Sequence, residues 1–165
     1  KVPVLKDGDT VLWESHAILR YLASLHAKNH AFWPENIAER AHVDAWMDWS
    51  QTTLQMDFLT GVFWGYYRTP EPQRNAQSVE RSVARCAGHF RLLDAILADK
   101  QWLFGEKMTL ADITIGTHLY RYFEIDIERP DIPNIENWYA RLQQRPAYRD
   151  AVMVPFDELF GRLDY

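Results

Sequence analysis

Met108-Thr109-Leu110-Ala111-Asp112-Ile113 is the stretch on which the fold turns. A Thr followed three residues later by an acid is a capping box. Thr109 is expected at the N-cap, accepting from the Asp112 amide, while the Asp112 carboxylate reaches back to the Thr109 amide. Met108 before the cap and Ile113 inside the helix complete a hydrophobic staple. The helix so started carries Ile113, Ile115, Leu119, Tyr120, Tyr122 and Phe123 on nearly every side. A helix apolar all round is a buried one, and its first-turn amides cannot fall back on water. Gly116 is expected to let a neighbouring helix approach closely.

Helical periodicity continues on both sides. Downstream, Ile135, Trp138 and Leu142 predict a helix ending near Arg145-Pro146, with a short last helix over 147–153. Upstream, Val79, Val83, Cys86, Phe90, Leu93 and Leu97 form an unbroken seam that suits an antiparallel helix partner. Before that seam, Ala41, Ala45, Trp49, Met56 and Phe63 predict the inner side of a long helix over about 35–67, stopped by Arg68-Thr69-Pro70-Glu71-Pro72. Cys86 falls inside a seam and reads as a small core residue.

The other end of the chain changes character. Val2-Pro3-Val4-Leu5 and Thr10-Val11-Leu12-Trp13 flank Lys6-Asp7-Gly8-Asp9, a hairpin signal. A two-stranded hairpin is marginal alone, and the chain supplies no other strand, so the fold class is mostly α. Ser15 is expected to cap a following helix whose Ile18, Leu22 and Leu25 cover the sheet. Periodicity lapses from His26 to Pro34, which reads as a linker. The chain opens on Lys1 with no initiator Met and no basic or apolar leader, as a domain entered part-way would.

Composition narrows the function classes. Among 165 residues, 18 Lys+Arg stand against 23 Asp+Glu, a net charge of -5 that disfavours a nucleic-acid partner. No apolar run approaches the roughly 20 residues that cross a bilayer, so no membrane partner is expected. One cysteine gives neither an internal disulfide nor a cysteine-rich zinc site, and the expected compartment is a reducing cytoplasm. His26 and His30 stand four apart without an obvious third ligand, so no metal is expected.

Two short segments carry the candidate chemistry. Glu14-Ser15 is either another N-cap or an anion site, in which free amides, the Ser15 hydroxyl and the positive helix end meet a ligand carboxylate. In the second reading Glu14 holds a neighbouring ammonium, so the pair suits an α-amino acid group. Val2-Pro3 marks a strand edge or a cis bend; a cis bond would turn the Val2 amide and carbonyl toward a peptide-like ligand.

Taken together, Lys1-Val2-Pro3-Val4-Leu5, Trp13-Glu14-Ser15-His16-Ala17-Ile18 and Thr109-Leu110-Ala111-Asp112-Ile113 resemble cytosolic glutathione S-transferases. Arg68-Thr69-Pro70, with Trp46-Met47-Asp48-Trp49 upstream, looks closest to bacterial theta, beta or nu members. The resemblance implies three parts: residues 1–27 as the end of a thioredoxin-like glutathione-binding domain, a linker over 28–34, and an all-α domain over 35–165. It further implies glutathione as co-substrate, held by the Val2 backbone beside cis Pro3 and by Glu14 and Ser15. His16 stands where the family often has Asn, a departure expected to alter only the first helical turn. The family's thiol-activating residue lies on its first strand, a segment with no counterpart here. The catalytic residue is therefore unknown, and residues 1–165 alone are expected to be inactive.

The activity implied is thiolate attack on a small electrophile by a cytoplasmic homodimer. Asp57, Thr60, Trp64 and Tyr67 share one face of the long helix, read either as a wall of the second-substrate pocket or as an inter-helix or dimer surface. The alternatives are a glutathione-dependent disulfide or peroxide reductase and a non-catalytic binding module of the same fold.

Overall fold

The computed structural model describes residues 2–27 and 32–164; His30 of the histidine pair and most of the expected linker lie outside them. Strands β1 (Val4–Asp7) and β2 (Thr10–Trp13) pair antiparallel, Val4 opposite Trp13 and Asp7 opposite Thr10. The turn is therefore two residues rather than four, with Gly8 at φ +58°, a conformation glycine adopts at no steric cost. Val2 and Pro3 precede the strand instead of belonging to it.

Helix α1 (Ser15–His26) follows directly. Its N-cap is Glu14, not Ser15, which is the first helical residue. Ile18 and Leu22 are half-buried and Leu25 is 43% exposed, while Leu19, Ala23 and His16 turn toward the helical core. Two faces of α1 are thus in use, one on the hairpin and one on the α domain.

Helix α2 (Ile37–Trp49) is capped by Asn36, whose side chain accepts from the Ala38 and Glu39 amides. The chain then continues without a break as a wider π-helical coil over Ser50–Leu54 and Met56–Arg68. This corrects the expected inner face. Ala41 and Ala45 are exposed and Met56 is 57% exposed; the buried side is Val43, Met47, Ser50, Leu54, Phe58, Val62 and Phe63. The track through Val43, Met47, Ser50, Leu54, Phe58 and Val62 steps by three or four and then, along the wider coil, by four, in keeping with more than four residues per turn where i→i+5 bonds form. Thr69 closes the coil, its amide and hydroxyl both donating to the Trp64 carbonyl.

Helix α3 (Ala76–Leu97), capped by Asn75, packs along the wide coil. Cys86, Phe90, Leu93 and Leu97 are buried as the seam requires, and Val79 and Val83 are half-buried. Gly61 sits against Ser82 so closely that a Cβ there would lie 2.2 Å from its Oγ. Burial pushes the Cys86 thiol up to about 12, so it is no nucleophile at neutral pH.

The buried helix divides in two, α4 (Leu110–Gly116) and α5 (Leu119–Glu124). Its capping box forms, and the Asp112 carboxylate goes further than the sequence suggested. It accepts from the Thr109 amide at 2.8 Å, the Thr109 hydroxyl at 3.0 Å and the Leu103 amide at 2.9 Å. The Leu110 amide donates to the Phe32 carbonyl. Gly116 does permit close approach: a Cβ there would stand 2.8 Å from the Leu142 side chain. Helix α6 (Pro133–Gln143) is capped from α3, Asp94 accepting from the Asn134 and Ile135 amides. Helix α7 (Pro146–Ala151) is shorter than expected, and the chain runs back over the α domain with one further turn at Asp157–Leu159.

Candidate functional site

The start of α1 is the most unusual backbone in the described chain. Glu14 takes φ +69° and ψ +118°, left-handed values that a side chain disfavours. It makes no side-chain cap hydrogen bond, and both Glu14 and Ser15 are exposed. The carboxylate, the Ser15 hydroxyl and the first-turn amides thus lie at one open end of a twelve-residue helix, where the backbone dipole favours an anion. On the strand side, the Val2-Pro3 bond is cis, Val2 is 94% exposed, and the β1–β2 ladder begins only at Val4.

Behind this end lies a feature that the sequence reading treated as incidental. His16 is only 8% exposed, its Nδ1 buried without a hydrogen-bond partner among the described residues. Burial, with Arg20 nearby, holds its pKa below the usual histidine range. His118, at the head of α5, is pushed down to about 4 by burial, with Arg121 and His16 adding repulsion. Both rings are therefore neutral at physiological pH. One turn on, Arg20 donates to Asp44 at 2.5 Å and Asp48 at 2.7 Å, which pins α1 to α2.

The four residues offered for a second-substrate wall are not gathered in one place. Asp57 faces α3, where it accepts from Arg85 at 2.6 Å and pairs with His89 at 2.8 Å. Thr60 lines a polar cleft of about 380 Å³ beside Gly61, Ser78, Ser82 and Arg85. Trp64 and Tyr67 turn the other way, toward the C-terminal segment: the Arg68 guanidinium lies 3.9 Å above the Trp64 ring, and Tyr67 stacks on Phe63. Tyr67 also meets Phe156 at 5.0 Å and Phe160 at 5.1 Å. From α5, Tyr120 meets Phe156 at 5.7 Å and Arg121 lies 4.5 Å over Phe63.

Separately, in the core, Phe58 meets His118 at 5.8 Å and Tyr122 at 5.7 Å. Periodicity could point to Phe63; no local signal points to Phe156, Phe160, Tyr120 or Arg121. Thr109 and Asp112 stand in the α4 cap, where they serve structure. Among the described residues no group of three or more His, Cys, Asp or Glu is placed to hold a metal ion.

The chain matches two family models, "Glutathione S-transferase, C-terminal domain" over residues 55–146 and "Glutathione S-transferase, N-terminal domain" over residues 1–24. It is similar to glutathione S-transferase GstB of Escherichia coli, 38% identical over 156 residues that cover 93% of this chain and 74% of the relative. It is 29% identical to glutathione S-transferase theta-1 of Gallus gallus, over 87% of this chain and 57% of that one. Its backbone superposes with a TM-score of 0.86 on the theta class glutathione S-transferase of Xanthomonas axonopodis pv. citri with glutathione bound. That pair is 43% identical, over 93% of this chain and 73% of the other.

Proposed function

Because the chain belongs to the glutathione S-transferase family, we propose that it binds glutathione at the α1 end and transfers its thiolate to a small electrophile. The observation that carries the reading is Glu14 at φ +69°, free of any capping bond, beside the open first turn of α1. An ordinary helix start needs no such backbone, and strain of this kind is held where a ligand is met. A γ-glutamyl group presents an ammonium and a carboxylate on one carbon. Glu14 takes the ammonium, and the Ser15 hydroxyl and first-turn amides take the carboxylate. Cis Pro3 leaves the Val2 amide and carbonyl for the cysteinyl backbone.

The electrophile lies against the all-α domain, with Trp64 and Tyr67 kept from the expected face. Asp57 and Thr60 are left to the α3 side, which suits a surface between helices or subunits. We assign no thiol-activating residue within 1–165 and no metal. A cytoplasmic homodimer belongs to the same reading; no described helix is long and apolar enough to cross a membrane.

Calorimetric titration of the full-length protein with glutathione tests the assignment. Glu14→Ala and Ser15→Ala are each expected to weaken binding by about 1.5–3 kcal/mol, the range for charge-assisted bonds, or about tenfold to a hundredfold in Kd. Unchanged affinity in both folded variants removes the γ-glutamyl site.

A further inference from the structure

A hydroxyl with no evident use stands where the wide coil meets α3. Ser82 is 3% exposed and lines the polar cleft of about 380 Å³, yet its Oγ has no hydrogen-bond partner among the described residues. Other helical hydroxyls here donate to the carbonyl one turn back, Ser24 to Arg20 and Thr52 to Asp48; Ser82 makes no such bond. Opposite it the coil carries Gly61, where a Cβ would lie 2.2 Å from the Ser82 Oγ and 2.6 Å from its Cβ. Close packing of the two helices would be served by alanine at 82, a better helix former with nothing to desolvate. Keeping a glycine inside the coil and burying a hydroxyl unpaired both cost stability. Together they leave a donor beside a cleft, with its partner still to come from outside the chain.

The neighbouring groups are of the same kind. Ser78, Ser82 and Arg85 stand at i, i+4 and i+7 of α3, so they share one face, and that face borders the cleft. Thr60 lines the cleft from the coil. The Thr60 and Ser78 hydroxyls have no hydrogen-bond partner among the described residues either. The Arg85 Nε donates to Asp57 at 2.6 Å, which fixes the guanidinium and leaves its two Nη groups for another acceptor. The second Asp57 oxygen is taken by His89 at 2.8 Å. Asn75 caps α3 through the Ser78 amide and also lines the cleft, so the positive end of a 22-residue helix opens there.

We propose that this cleft binds a phosphate group, free or at the end of a small ester, through the Thr60, Ser78 and Ser82 hydroxyls and the Arg85 Nη groups. These donors outnumber the two oxygens of a carboxylate. A phosphate brings three acceptor oxygens and a charge of about −1.5 to −2 at neutral pH, and the guanidinium fork matches its geometry. Asp57 cancels part of the Arg85 charge, so hydrogen bonding decides selection and favours the ion with more acceptors. Met56, Gly65 and Val79 border the rest of the cleft, which has room for a small organic group. None of these residues belongs to the hairpin or α1, and the site stands independently of the glutathione reading.

Calorimetric titration of the full-length protein at constant ionic strength tests it, with inorganic phosphate, glycerol 3-phosphate and acetate as probes. Phosphate should bind saturably and about tenfold or more tighter than acetate. Ser82→Ala should weaken phosphate about tenfold, the worth of one charge-assisted hydrogen bond, and without phosphate should melt no lower than the wild type. Arg85→Gln should weaken phosphate at least as much; its side chain is 57% exposed, so this variant carries the test even where Ser82→Ala fails to fold. Both variants should bind glutathione as before. Glycerol 3-phosphate binding more tightly than inorganic phosphate assigns the site to an ester, and weaker binding assigns it to the free ion. No saturable phosphate binding, acetate bound as well as phosphate, or unchanged phosphate affinity in the folded variants overturns the proposal. Displacement of phosphate by glutathione overturns it too, since the ion then sits at the α1 end. A Ser82→Ala protein that sediments differently, in a wild type that never binds phosphate, makes the cleft a contact between copies and overturns it as well.

Discussion

Removing the Asp112 carboxylate is expected to destabilise the helical domain by an amount that shrinks as pH rises. Asp112→Ala leaves the Leu103 and Thr109 amides, now paired at 2.9 and 2.8 Å, with no acceptor. At about 2 kcal/mol for each buried unsatisfied amide, the gross loss is about 4 kcal/mol. Working against it is the burial of the charge itself, which lifts Asp112 from the ordinary 3.8 to about 6 in spite of its three hydrogen bonds. Between those values the folded protein keeps a proton that the unfolded chain has lost, so this carboxylate's contribution to stability falls as pH rises through the window. The penalty is about 1 kcal/mol at about pH 4.5 and about 3 kcal/mol at about pH 7.5. Alanine carries no such penalty. The variant should therefore lose about 3 kcal/mol near about pH 4.5 and only about 1 kcal/mol near about pH 7.5. Urea unfolding of both proteins at the two pH values, with equal slopes, measures the difference. A loss that stays constant or grows with pH refutes both the cap energetics and the assigned burial of the charge. Glutathione affinity should be untouched, since Asp112 stands in the α4 cap.

Three further expectations follow the same logic. Gly116→Ala should cost about 1–3 kcal/mol by driving a Cβ into buried Leu142, whereas Gly88→Ala, on an exposed turn of α3 with open space, should gain about 0.5–1 kcal/mol; thermal denaturation separates them. His118, held neutral by burial down to about 4, makes the fold lose stability as pH falls from 6.5, because the unfolded chain takes a proton that the native state refuses. His118→Gln should flatten that loss by about 2 kcal/mol between about pH 6.5 and about pH 4.5 in chemical unfolding, and an unchanged acid slope refutes it. Arg20→Met should loosen α1 from α2 by no more than about 1 kcal/mol, as its partners are partly exposed, and hydrogen exchange along α1 should rise before global stability falls.

What the sequence determined by itself was everything set by near neighbours. The Thr109–Asp112 box, the Gly8 turn, the stop at Pro70 and the Val79–Leu97 seam each depend on residues within a few positions, where chirality, sterics and one regular period decide the outcome. The family was legible for the same reason: its Val-Pro and Glu-Ser segments are local signatures. Tertiary structure decided the rest. The inner face of the long coil could not be read from Ala41, Ala45 and Met56, because which of the apolar tracks along it is buried is decided by what packs there: the core takes Val43 and Met47 and leaves Ala41 and Ala45 outside. Asp94 caps a helix forty residues on, Asp112 ties down Leu103, and Arg68 holds carbonyls at 162 and 164. Such bonds form between groups that only the folded chain brings within 3 Å. The aromatic cluster around Phe156 belongs to this class: its rings come from the wide coil, α5 and the C-terminal segment. No spacing along the chain encodes that meeting, because the burial of apolar surface that drives it has no direction in sequence.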